Sequence, residues 1–123
     1  MALTIVIALA GLMGAAGVIL AAAGAHGAPN AGLDSAAYML LFHAAALLSG
    51  VALAQQALLR RPLTIVVLFA WIVGASLFAG DVAFRAFAGH RLFPMAAPTG
   101  GVILIAAWLL LAGAALAALL HRA

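Results

Sequence analysis

The side chains able to do chemistry are few, and they fall in short stretches between long apolar ones. They are His26, Asp34, Tyr38, His43, Asp81, Arg85, His90, Arg91 and Thr99. Asp81 and Arg85 are four residues apart with the acid first, the favourable order for an ion pair on one helix face. His43 stands inside an apolar run. At helical spacing its face carries Ala36, Leu40, Leu47 and Gly50. An ionisable group there needs a partner or a use. That use is either a hydrogen bond to a neighbouring segment or a proton- or ligand-handling role, and the apolar face favours the first. His26 follows Gly24-Ala25 and precedes Gly27, a residue suited to a helix C-cap. Histidines near one end could hold a metal, or a haem with His43. No His-x3-His pair or carboxylate–histidine set supports this, so neither metal nor cofactor is expected. Ala97-Pro98-Thr99-Gly100-Gly101 reads as a helix start whose exposed amides could meet an anion. A phosphate loop would also carry a lysine, and the chain has none. Cysteine is absent, which removes thiol chemistry and disulfides. With no Ser/His/Asp set, paired carboxylates or dinucleotide fingerprint, catalysis has nothing to rest on, and the chain is not expected to be an enzyme.

The elements that must position these groups are membrane helices. Of the 123 residues, 70% are hydrophobic and 6% charged, and the mean hydropathy is +1.37. A soluble domain carries about 25% charged residues. A chain this apolar cannot cover itself with polar surface, so its solvent is lipid. Four apolar runs predict helices over residues 3–25, 36–59, 63–84 and 99–120. Each is long enough to cross about 30 Å of hydrocarbon at 1.5 Å per residue. Barrel strands would alternate apolar and polar residues, and these runs do not. The first run resembles a secretory signal at Ala21-Ala22-Ala23, but it lacks a positive n-region and is long for an h-region. The fold class expected is all-α: one polytopic membrane domain, residues 1–123, with four transmembrane helices in an up-down bundle.

Arg60-Arg61-Pro62 makes a tight turn, and the two longer connections fall at the other end. Both termini and the turn then share a side. Arg60, Arg61 and Arg122 lie there, against Arg85 and Arg91 on the loop side. The positive-inside rule places the termini in the cytoplasm, with the tight turn as the strongest signal. The sequence pI of about 11.4 is no nucleic-acid signature, because the arginines are dispersed rather than clustered on one solvated face. Gly11, Gly14 and Gly17 recur along the first helix. Glycine costs helix stability, so they are expected to serve close helix packing rather than as filler. Gly24-Ala25-His26-Gly27 and Ala88-Gly89-His90 loosely echo each other, which is slight evidence for a repeat.

Several of these residues also carry a resemblance. Gly24-Ala25-His26-Gly27 and Phe42-His43-Ala44 match the first half of a known family. Phe78-Ala79-Gly80, Ala88-Gly89, Ala96-Ala97-Pro98-Thr99-Gly100-Gly101 and Trp108-Leu109 match its second half. Over nearly its whole length the chain resembles the DUF423 family of small membrane proteins, which includes the eukaryotic transmembrane protein 256 and bacterial relatives. The resemblance implies a four-helix membrane protein and no catalytic residues. The family usually has a small hydroxyl residue where this chain has Asp81, which marks the Asp81–Arg85 pair as a local variation.

The function expected is that of a non-enzymatic accessory, assembly or lipid- or protein-binding protein of the bacterial inner (plasma) membrane. The alternative is a small oligomeric channel or transporter. Its polar vestibule would lie around His43 and Asp81, within the candidate cluster His26, Tyr38, His43, Asp81, Arg85 and Thr99. A pore needs a polar stripe through the whole membrane, and the terminal-side half offers only Gln55, Gln56 and Thr64. The partners implied are membrane lipids, then other membrane proteins or a second copy of the chain, and no nucleic acid.

Overall fold

The computed structural model describes residues 1–27 and 32–123. Among the described residues the chain is all-helical: α1 Ala2–His26, α2 Leu33–Gln55, α3 Arg61–Ala88 and α4 Ala96–Arg122. Each is long and apolar enough to span a membrane. The middle of the long connection expected between His26 and Ser35 lies outside the described residues.

The ends differ from the sequence expectation for local reasons. α2 begins at Leu33 rather than 36, after Gly32 in the left-handed conformation (φ 73°). Asp34 sits in its first turn, where the helix dipole favours an acid, and the Ser35 hydroxyl donates to Gly32 O at 2.8 Å. α2 stops at Gln55 rather than 59, because the turn to α3 passes through Ala57 at φ 53°. Pro62 lies in the first turn of α3, where its missing N–H costs nothing. α3 runs on to Ala88 rather than 84 and ends at Gly89 with φ 78°, a left-handed C-cap that glycine adopts without strain. Gly27 has φ −121° and does not form the left-handed cap expected at the end of α1.

The helices run up and down. The termini and the α2–α3 turn form one end, called here the terminal end, and the two longer connections form the loop end. α1 packs on α2 and α3 on α4. The two hairpins meet along α2 and α3, and α1 also touches α3 lightly. The backbone of α4 approaches only α3. The bundle is therefore open on the α4 side. After Ala107 no residue of α4 is buried.

Small residues set the close approaches, as expected where packing rather than hydrophobicity joins helices. The tightest approach to backbone atoms is between α3 and α4. A Cβ added at Gly100 would come 2.6 Å from Gly74 O and 2.7 Å from Phe78 N. Of the three glycines singled out on α1, Gly17 is buried, and an added Cβ would come 2.7 Å from Leu41 Cγ. Gly14 faces Ala44 Cβ at an ordinary 3.8 Å, and Gly11 has nothing within 4 Å.

Candidate functional site

Two buried polar centres hold the bundle's chemistry. The first is at the loop end. Asp81 is fully buried at 0% exposure. Its Oδ2 accepts from Arg85 Nη2 at 2.9 Å, and its Oδ1 accepts from the Leu92 amide at 2.9 Å. The pair was legible from its spacing, and α3 continues to Ala88 beyond it. The Arg85 side chain is 46% exposed, so the guanidinium reaches out while the carboxylate stays in. The bond to Leu92 has the larger structural consequence. It ties the α3–α4 connection back onto α3 one residue beyond Arg91, where an unpaired amide would be costly.

The second centre lies near the middle of the membrane. His43 is ten residues into α2, about 15 Å from its loop end at 1.5 Å per residue. This is deeper than the ~10 Å that a helix starting at 36 would give. The ring is buried, at 6% exposure. Its Nδ1 lies 2.8 Å from Met39 O, one turn earlier, and Trp108 Nε1 donates to its Nε2 at 3.2 Å. A carbonyl only accepts and an indole N–H only donates, so both bonds form together with the proton on Nδ1. Both ring nitrogens are thus used. Of the candidate cluster named from the sequence, none of His26, Tyr38, Asp81 and Thr99 is its partner. Trp108 comes from 65 positions away in the chain.

Trp71 of α3 completes this centre. Its ring lies 4.4 Å from that of Trp108 and 6.3 Å from His43, centroid to centroid. The three groups join α2, α3 and α4 where the backbones of α2 and α4 do not meet. Trp71 is 3% exposed, yet its indole N–H has no hydrogen-bond partner among the described residues.

The remaining candidates do not gather with these. Tyr38 is exposed and stacks on Phe42 at 5.8 Å, on the outer side of α2. His26 and Thr99 are exposed at the ends of their helices. Phe84 meets His90 edge-on at 5.0 Å. The predicted cluster is thus two separate centres, one of Asp81 with Arg85 and one of His43 with two tryptophans, plus exposed residues at the loop end. The missed members, Trp71 and Trp108, carried one available signal. They are the only tryptophans in the chain, and both stand well inside predicted spans rather than at the interface where tryptophan collects.

Residues 20–101 match the family model described as a protein of unknown function, DUF423. No curated protein and no solved structure matches the chain. The matched stretch runs from the later turns of α1 to the first turns of α4. It contains His43, Trp71, Asp81 and Arg85 and leaves Trp108 outside. Spanning two thirds of a chain whose four described helices are each long and apolar enough to cross a membrane, it places this protein in the DUF423 family.

Proposed function

We propose that this protein is a non-enzymatic accessory protein of the bacterial inner membrane, and that it holds a transmembrane helix of another protein in the groove between α1 and α3. The observation that carries this reading is the groove itself. It has a volume of about 480 Å³, with Leu9, Leu12, Ile19 and Leu20 along α1 and Ser76, Ala79, Gly80 and Ala83 along α3. A Cβ at Gly80 would meet nothing within 4 Å. Small residues on one wall and bulky ones on the other suit a close helix approach, the main source of association in lipid.

The absence of chemistry from the proposal rests on how the polar groups are spent. Asp81 and His43 each hold partners within the chain, so neither presents a free group to a substrate. The pore alternative finds less support, because the two centres are separate and no polar path joins them to the terminal end among the described residues.

A photo-cross-linking residue at Ser76 tests the proposal in cells. It should give a discrete protein adduct that Gly80→Leu abolishes, while the same residue at Val102, exposed on α4, gives none. Adducts with lipid alone at Ser76 would overturn the reading. We place the termini in the cytoplasm, because Arg60, Arg61 and Arg122 lie at the terminal end while Arg85 at the loop end is spent on Asp81. Single cysteines at Arg60 and Phe93 should label oppositely with an impermeant thiol reagent. Labelling of the residue 60 site from outside intact cells would reverse the orientation.

A further inference from the structure

The splayed second half of α4 leaves a cleft against α2 and α3 that the reading above does not use. Two cavities lie along it, of about 610 Å³ and about 210 Å³. They are stacked along α3 and α4. On α3 Thr64 lines the inner one and Leu63 the outer; on α4 Leu111 lines the inner and Ala114 the outer. The third wall is α2 at Leu53 for the inner and the α2–α3 turn at Ala57 for the outer. The outer cavity opens at the terminal end between Arg60, His121 and Arg122. The inner one ends on Trp71 and Trp108. From Arg122 to Trp108 is about 21 Å along α4. That somewhat exceeds half of a ~30 Å hydrocarbon core, so the cleft runs through one leaflet.

Its chemistry changes along this depth. The shaft is apolar, made of Leu53, Leu63, Leu111, Ala114 and Ala118. The mouth is cationic and has no side-chain counter-charge. The chain's two acidic side chains, Asp34 and Asp81, both belong to the loop end, and the ion pair among the described residues is the one between Arg85 and Asp81. At the mouth Arg122 reaches only a backbone oxygen, Leu58 O, at 3.5 Å. An apolar shaft one leaflet deep below a cationic rim with no acidic side chain has the form of a phospholipid with an anionic headgroup. A second copy of the chain or a partner's helix would leave the arginines without an anion.

We propose that the cleft between α4 and the α2–α3 turn is a binding site for one anionic phospholipid of the terminal-side leaflet, its phosphate at Arg60 and Arg122 and one acyl chain reaching Trp71 and Trp108. The site lies on a different face from the α1–α3 groove and stands whether or not that groove holds a helix.

The tryptophans report on it directly. The full chain is reconstituted in phosphatidylcholine vesicles containing a small fixed fraction of lipid brominated on its acyl chains. Brominated phosphatidylglycerol should quench tryptophan fluorescence more strongly than brominated phosphatidylcholine, with an apparent preference of up to about thirtyfold from two arginines at the membrane surface, each contributing about 1 kcal/mol. Arg60→Gln with Arg122→Gln should remove the preference, and Arg91→Gln at the loop end should keep it. Ala114→Phe fills the shaft and leaves every charge in place, so it too should remove the preference. Equal quenching by the two lipids would overturn the site. So would a preference that survives Ala114→Phe, since attraction to the surface alone needs no cleft. Circular dichroism of each variant confirms that the helices are intact before quenching is compared.

Discussion

At the loop end of the bundle, every buried polar side chain among the described residues is paired and the backbones of α3 and α4 are pressed together. Asp81 takes two hydrogen bonds, and Gly74 and Gly100 bring α3 and α4 into backbone contact. At the terminal end the same two helices part, α4 buries nothing, and the cavities open. Between them, at mid-membrane, His43 is satisfied and Trp71 is not. The difference teaches where this protein is built to hold itself and where it is built to be approached. In lipid an exposed apolar face costs nothing, so burial alone does not mark a binding surface. An unsatisfied donor and an uncompensated charge do, because lipid supplies no water to relieve them.

The comparison predicts its largest effect at the seam of the closed half. Gly100→Ala adds a Cβ that would stand 2.6 Å from a backbone oxygen, and backbone cannot swing aside. It should cost about 3 kcal/mol of stability, the upper end of ordinary overpacking. Gly113→Ala on the same helix meets nothing within 4 Å and should be neutral or slightly stabilising. Unfolding in mixed micelles measures both. Equal effects would mean that the two halves of α4 pack alike.

Next comes Asp81. Replacing it by Ala frees the Leu92 amide and strips Arg85 of its partner. Arg85 is half exposed and finds water, so the loss is that of the buried amide bond, about 1–3 kcal/mol. Asp81→Asn can keep the bond from Leu92 through its carbonyl oxygen and should lose less. Amide exchange localises the effect: Leu92 should lose protection in the Ala variant and retain it in the Asn variant. If Arg85→Gln proves as damaging as Asp81→Ala, then the ion pair rather than the loop tie carries the stability.

The sequence made some of this legible and hid the rest for one physical reason. The four spans followed from hydropathy, and Asp81 with Arg85 from a four-residue spacing, because both signals are local. Which face of each span meets another helix was not legible. In water an apolar stripe marks the buried side, but in lipid the inside and the outside are equally apolar. Gly11, Gly14 and Gly17 therefore looked alike on paper, and only Gly17 is buried in close contact. Gly50, Gly74 and Gly100 gave no comparable stripe, since each makes its approach singly. His43 was recognised as needing a partner. Its partner depended on helix order and relative depth, which no spacing within one helix encodes.

The His43 pair is worth less than Asp81, because hydrogen bonds between membrane helices average about 0.6 kcal/mol. His43→Leu leaves the Trp108 N–H without an acceptor and should cost about 1 kcal/mol. His43→Gln can present a carbonyl to Trp108 and should recover most of that. A Gln variant as unstable as the Leu variant would place the value of His43 in the packing of its ring against the two tryptophans.

The smallest effect predicted is also the most discriminating, since it sets one tryptophan against the other. Trp108→Phe deletes a donor that is in use and leaves His43 Nε2 unpaired, at a cost of about 1 kcal/mol beyond the lost volume. Trp71→Phe deletes a donor that has no partner. It loses volume, but it also removes a buried N–H that has been taken from water without compensation. The two terms oppose, and the net change should fall within about 0.5 kcal/mol of zero in delipidated protein. Adding phosphatidylglycerol sharpens the contrast. A chain seated in the cleft brings packing rather than an acceptor to the depth of Trp71, so Trp71→Phe should stay near neutral with lipid present. If the variant becomes costly only with lipid, the N–H has gained an acceptor, and an ester oxygen rather than the acyl chain lies at the floor of the cleft. If it is costly in both conditions, the donor is already paired within the bundle, and the terminal half is no less satisfied than the loop half.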